Sequence, residues 1–230
     1  MTDITLDQAL TGLKSLADPD RAVESARYHK VDRIYWGISN PQVEPLIRDW
    51  RAQCSLEGRI ELAAGLWDSN IHEAMIAAAK LLTQARIRPD DTPVWTLIAG
   101  WAETFEGWAV ADHACSAGGR RLVADPSRLD QVEGWTQHDN MWTRRAALVM
   151  TLPWARLPNP KPQETRSRER ILGWAAGYAD DRDWFIQKAI GWWLRDLSKH
   201  DAEMTRAFVA EHGERLKPFA RREAMRHLTA

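Results

Sequence analysis

Trp108 and Asp112 stand four residues apart in Phe105-Glu106-Gly107-Trp108-Ala109-Val110-Ala111-Asp112. That spacing puts an aromatic ring and a carboxylate on one face of a helix. Such a pair can stabilise a cation, the ring through its negative face and the carboxylate through its charge. It is also the make-up of an ordinary packing pair with a solvated acid. A second aromatic is set among cations in residues 183–199, where Lys188, Trp192, Arg195 and Lys199 recur at helical spacing. Cations that hold a phosphate and a ring that packs on sugar or base suit a nucleic-acid partner. The plain alternative is a solvated face with one Trp half-covered by a neighbouring helix.

Two further stretches carry candidate residues. In Asp139-Asn140-Met141-Trp142-Thr143-Arg144-Arg145, Asn140 is a good N-cap, and Trp142 and Arg145 share a face. Two arginines early in a helix oppose its dipole, which is easier to understand if an anion sits there. In residues 28–41, Tyr28 and Lys30 precede a non-helical segment containing Gly37, Ser39 and Pro41. The Ser39 hydroxyl and the amides near Gly37 could meet a phosphate, or the segment could be a simple helix connection. Several chemistries are not suggested. There is no HExxH, CxxC or carboxylate–His spacing for a metal, and no phosphate loop, nucleophile elbow or dinucleotide fingerprint. Neither a cofactor nor a metal is expected.

The elements that must position these residues read as helices almost throughout. The stripe at 186, 189, 190, 193, 194 and 197 is apolar and must face a core, which places Trp193 inside. Helices are expected at about 5–17, 19–28, 41–52, 56–67, 71–84, 92–104 and 105–116. After a loop near Ser116-Ala117-Gly118-Gly119 come segments at about 119–124, 126–136 and 141–152. A proline-rich connection over 153–162 follows, then helices at 163–177, 183–199, 201–212 and 216–228. Asn40 is expected to cap the helix that Pro41 opens. Many short helices with brief connections and no alternating strand pattern predict an all-α fold. The expected form is an α-solenoid of degenerate HEAT-like repeats forming a single domain over 1–230.

Composition agrees with an ordinary globular protein: 230 residues, net charge -1, 44% hydrophobic and 27% charged, so a sizeable core can be buried. Thirteen Trp outnumber four Phe and three Tyr, an unusual preference. Two Cys without paired spacing argue against a disulfide framework. The near-neutral total hides an asymmetry, because residues 140–230 hold 17 Lys and Arg against 11 Asp and Glu. A basic half can carry an anion-binding surface. Without an apolar leader or a membrane-length apolar run, the expected location is cytoplasmic, with no membrane partner and a monomeric state.

Taken together, four stretches resemble the bacterial DNA alkylation repair family, the AlkD-like HEAT-repeat alkylpurine DNA glycosylases. Phe185-Ile186-Gln187-Lys188-Ala189-Ile190-Gly191-Trp192 followed by Leu194-Arg195 reads like the family signature. Trp108-x-x-x-Asp112, Asp139-Asn140-x-Trp142-x-x-Arg145, and Tyr28-x-Lys30 with Gly37-Ile38-x-x-Pro41 match its other motifs, in order over about residues 26–199. The resemblance implies a concave, basic cleft that binds duplex DNA containing alkylated bases. It implies that Asp112 is the catalytic carboxylate, with Trp108 and Trp192 as aromatic walls against the lesion's deoxyribose. Tyr28, Lys30, Ser39, Arg145, Lys188, Arg195 and Lys199 would contact DNA. The implied reaction, in base excision repair, hydrolyses the N-glycosidic bond of cationic N3- and N7-alkylated purines such as 3-methyladenine and 7-methylguanine, without flipping them into a pocket. The chain departs from the pattern at Leu152-Pro153-Trp154, where the family often has a basic residue, and carries an extra aromatic at Trp193. Two other readings stay open: a non-catalytic module that binds damaged or branched DNA, and a protein-binding helical scaffold.

Overall fold

Runs of strong helix formers, punctuated by Pro, Gly and capping side chains, fold here as helices. The computed structural model describes residues 3–228, and no strand occurs among them beyond one isolated bridge between Ile34 and Ile71. The helices form two compact units, Met1–Ala124 and Asp125–Ala230.

The first unit contains α1 (Leu6–Lys14), α2 (Pro19–His29), α3 (Asn40–Gln53), α4 (Leu56–Asp68), α5 (His72–Leu82), α6 (Thr92–Ala102) and α7 (Trp108–Ala124). Its centre is α5, which packs on α3, α4 and α7, and of whose eleven residues only Lys80 is not buried. A helix apolar on nearly every side has to be an inner one. Successive helices pack as neighbours, α4 on α5 and α6 on α7, as stacked helix pairs require.

The break expected near Ser116-Ala117-Gly118-Gly119 does not occur, and α7 runs unbroken from Trp108 to Ala124. Ala117, Gly118 and Gly119 are all buried. Close packing there outweighs the roughly 1 kcal/mol that each glycine costs a helix. The cap at the start of α3 is also one residue earlier than expected: Ser39 is the N-cap and Asn40 the first helical residue. Both the N–H and the hydroxyl of Ser39 donate to Gln42 Oε1, at 3.0 and 2.6 Å, a capping-box arrangement.

The first turn of α5 organises the chain around it. Ile34 N–H donates to the Asn70 carbonyl and His72 N–H to the Ile34 carbonyl, at 3.3 and 2.8 Å. Glu73, only 2% exposed, accepts from the N–H groups of Trp36, Gly37 and Ile38 at 3.0, 2.8 and 3.2 Å. Gly37 makes this possible with φ 73°, and a Cβ there would lie 2.2 Å from the Asp18 carbonyl oxygen. His72 packs its ring on His29 and Tyr35, at 4.5 and 4.8 Å between centroids. Burial, reinforced by the charges of His29, Arg33 and His113, pushes the His72 imidazole down to about 3.

The second unit contains α8 (Leu129–Gly134), α9 (Met141–Met150), α10 (Leu152–Ala155), α11 (Pro162–Gly177), α12 (Trp184–Ser198), α13 (Ala202–His212) and α14 (Pro218–Ala224). Its centre is α12, which packs on α9, α10, α13 and α14. The stripe Ile186, Ala189, Ile190, Trp193, Leu194 and Leu197 is buried as its period requires, and Trp193 is fully enclosed. The proline-rich connection is shorter than expected, because Pro153 sits inside α10 with Leu152 and Trp154 in the core. The buried Arg168 closes that turn by donating to the Trp154 and Leu157 carbonyls.

Two stability measurements follow. Glu73→Gln leaves at least one of the three converging N–H groups facing an amide NH2, and should lower unfolding stability by about 2 kcal/mol in urea denaturation. His72 takes up a proton in the unfolded chain below about pH 6.5 but not in the folded one until about pH 3. Its contribution is therefore complete above the unfolded value and is lost as pH falls. Between pH 7 and 5 the wild type should lose about 2 kcal/mol more than His72→Gln does. Parallel losses would remove His72 as the cause.

Candidate active site

Trp108 is the first residue of α7, and Asp112 follows one turn later on the same face, both half-buried. The indole of Trp108 is held by two rings from the end of α2. Tyr28 meets it edge-on at 6.0 Å and 87°, and His29 lies tilted at 5.4 Å and 48°. His29 stacks in turn on Tyr35, at 6.0 Å and 1°. Tyr35 is pinned through its hydroxyl, which donates to the Val31 carbonyl at 3.1 Å. Arg33 beneath this group pairs with Glu106 at 2.9 Å. The space left between His29, Tyr35, His72 and Trp108 is about 10 Å³, room for about one water. Trp108 is thus one face of a packed aromatic wall.

Burial keeps the imidazoles of that wall neutral. Burial lowers the His29 pKa, the Arg33 charge lowers it further, and Glu73 opposes both. Burial likewise lowers His113, next to Asp112, with Lys80 acting in the same sense and Asp112 against it. Neutral imidazoles beside Trp108 and Asp112 add no positive charge of their own next to the carboxylate. His29, His72, His113, Tyr35 and Glu73 were not singled out in the sequence. They come from α2, α5, α7 and the connection between α2 and α3, and no spacing links them.

Tyr28 is 69% exposed at the end of α2. Lys30 is exposed on the left-handed residue that caps this helix, φ 56°. Ser39 is half-buried with its hydroxyl given to Gln42, so it serves the cap of α3. The amides around Gly37, which could have met a phosphate or belonged to a simple helix connection, are closed on Glu73. An internal carboxylate occupies the place proposed for the ligand's anion.

In the second unit Asn140 caps α9 as expected, its side chain accepting from Trp142 N–H at 2.9 Å. Arg145 is 2% exposed, with its guanidinium 5.8 Å from the Trp142 ring centroid. Arg144 has its anion within the fold: it donates to the His138 and Asp139 carbonyls and pairs with Asp181 at 3.4 Å.

Trp192 is half-buried on the outer stripe of α12, and Lys188 and Lys199 are exposed on that stripe. Arg195 is half-buried and pairs with Glu223 and Asp196, and Lys199 approaches Asp196 at 3.6 Å. Burial pushes the Asp196 carboxyl up, but hydrogen bonds and charge from Arg156 and Arg195 outweigh it and hold the acid below its usual value. The stripe's cations are therefore unequal: Arg195 and Lys199 are partly neutralised, and Lys188 is not. Among the described residues no group of three or more His, Cys, Asp or Glu is placed to hold a metal ion. No helix there is long and apolar enough to cross a membrane.

A family model described as DNA alkylation repair enzyme matches residues 9–228 of this chain. Among solved structures, one described as a predicted DNA alkylation repair enzyme from Enterococcus faecalis is similar at 21% identity and TM-score 0.76. That likeness covers 93% of this chain and 97% of the other. The protein smu.31 from Streptococcus mutans UA159 is similar at 15% identity and TM-score 0.62, and AlkD2 from Streptococcus mutans at 15% and 0.63. Both cover 98% of this chain and 100% of their own. No curated protein matches. The structural likenesses carry the helical-repeat fold, and the family rests on a match over nearly the whole length: the chain belongs to the DNA alkylation repair enzyme family.

Proposed function

We propose that this chain acts as a monomeric, single-domain DNA glycosylase. On this reading it hydrolyses the N-glycosidic bond of positively charged N3- and N7-alkylated purines in duplex DNA. The observation that carries the proposal is the pairing on α7 of a braced indole, Trp108, with a carboxylate, Asp112, one turn away. An alkylated purine cation is already a good leaving group, so no acid is needed to protonate it. What needs help is the positive charge that grows on the deoxyribose as the bond breaks. In the first unit Asp112 supplies the opposite charge and positions the attacking water, while Trp108 offers its ring face to the sugar. The role of Trp192, in the second unit, is carried over from the family resemblance alone. A unit charge pair at about 4 Å and an effective dielectric of about 20 is worth roughly 4 kcal/mol. Acting wholly on the transition state, roughly 4 kcal/mol gives about a thousandfold in rate, an upper bound for this one contact.

By the family resemblance, the base is not flipped into a pocket during this reaction. Tyr28 beside Trp108, Lys30 two residues further on, and Lys188 and Arg195 on the stripe of Trp192 are the residues proposed to contact the DNA backbone. Arg145, nearly enclosed beside Trp142, is proposed to act from within the site. Ser39 has the weakest claim, since its hydroxyl already serves a cap.

The test is base release from methylated duplex DNA. The wild type should liberate 7-methylguanine or 3-methyladenine, and Asp112→Asn should cut the rate by at least about a hundredfold, an electrostatic loss of roughly 3 kcal/mol, with duplex affinity nearly unchanged. Wild-type excision by Asp112→Asn would remove the carboxylate from the mechanism. Binding by both proteins without release from either would favour a non-catalytic role on damaged DNA.

A further inference from the structure

Trp184, the first residue of α12, is 47% exposed, a costly position for a large indole unless a partner covers it. Its ring is held in place. It stacks on Phe219 of α14 at 5.6 Å and 29°, and meets Phe185 edge-on at 4.9 Å and 89°. The Lys188 ammonium lies over it, 4.8 Å from the centroid.

The same unit holds an instructive contrast. At Trp174 the guanidinium of Arg170 lies 5.7 Å from the ring centroid, and Asp130 and Glu133 close the group, with Glu133 also accepting from the indole N–H at 2.7 Å. That aromatic–cation pair is complete within the fold. At Trp184 the corresponding carboxylate is missing. Asp183 turns its side chain to the N–H groups of Phe185 and Ile186, and Asp180 is taken by Arg215. Arg182 is exposed and donates to the Arg215 carbonyl at 3.1 Å; its charge also acts on Asp180, but the Asp180 carboxylate is in ion-pair contact with Arg215 instead. Arg222, exposed and three residues beyond Phe219 on α14, has no carboxylate within ion-pair distance among the described residues. Its neighbours Arg221 and Arg226 do pair, with Glu214 and Glu223.

We infer that Trp184, Lys188, Arg182 and Arg222 form a phosphate-binding subsite for the sugar–phosphate backbone of duplex DNA, away from the reacting nucleotide. The indole packs on deoxyribose and keeps Lys188 oriented, while the three cations supply charge that no carboxylate among the described residues holds in an ion pair. The position fits the proposed reaction. Residues 184, 188 and 192 fall on one stripe of α12, and eight residues of helix span about 12 Å. The contact therefore lies about 12 Å along the helix from Trp192. The subsite rests on the DNA-repair reading for its partner, but not on the excision chemistry.

The experiment measures binding of undamaged duplex by fluorescence anisotropy over a range of salt concentrations, for the wild type, Trp184→Ala and the double variant Arg182→Ala/Arg222→Ala. Losing two phosphate contacts should reduce the slope of log affinity against log salt by about 1.8. Trp184→Ala should weaken binding several-fold at fixed salt. Both arginines are exposed, so the double variant tests the idea even if Trp184→Ala disturbs packing against Phe219. An unchanged slope in the double variant, or no salt-sensitive DNA binding by the wild type, overturns the inference. Because undamaged DNA is used, a failure of the glycosylase reading shows up separately, as binding without base release.

Discussion

A buried carboxylate needs hydrogen bonds on its oxygens, and Glu73 finds three of them in the N–H groups of Trp36, Gly37 and Ile38. This one requirement fixes much of the first unit. It holds the connection between α2 and α3 against the start of α5, where the Ile34–Ile71 bridge seals it. With the connection in place, Tyr35 and His29 stack and His72 fills the space beneath them. Trp108 then meets a wall that is already assembled. The indole proposed to face the lesion is thus oriented by an acid two packing layers away, which touches neither substrate nor ring. The intervening imidazoles stay neutral, so among the described residues the only cation in that layer is Arg33, which Glu106 pairs.

In the second unit the dominant constraint is the burial of one stripe of α12. Enclosing Ile186, Ile190, Trp193 and Leu197 leaves the opposite stripe for Trp184, Lys188, Trp192, Arg195 and Lys199. The charges around that stripe are graded. Asp196 and Glu223 partly neutralise its C-terminal end, while Lys188 near its start sits over an exposed indole and meets no acid. A surface meant only for solvent gains nothing from such grading. A backbone-tracking surface needs cations whose counter-ions are released on binding, and that supply lies towards Trp184.

The sequence made the fold class and the apolar stripe of α12 legible because helical periodicity is local, and residues 183–199 display it without help from the rest of the chain. It also placed Trp108 and Asp112 on one face, since four-residue spacing is a statement about a single helix. It failed where tertiary packing overrides local preference. Gly118 and Gly119 read as a break but are buried within α7. The Gly37 amides looked open because nothing in their neighbourhood announces Glu73, thirty-six residues further on. The braces behind Trp108 were illegible for the same reason: His29, Tyr35 and His72 are brought together by three separate elements. Arg144 was read correctly as needing an anion, and only the fold shows that Asp181 is the one it uses.

The central claim is that the lesion's own positive charge makes it a good leaving group, and that Asp112 and Trp108 stabilise the cation left on the sugar. The most direct test is a pair of single-turnover excision rates on the same duplex, one carrying 7-methylguanine and the other the neutral base hypoxanthine. The account predicts release of the cationic base, with hypoxanthine slower by at least about a thousandfold, the equivalent of roughly 4 kcal/mol of transition-state stabilisation. Comparable rates for the two bases would mean that a protonating group drives departure, and would contradict the mechanism.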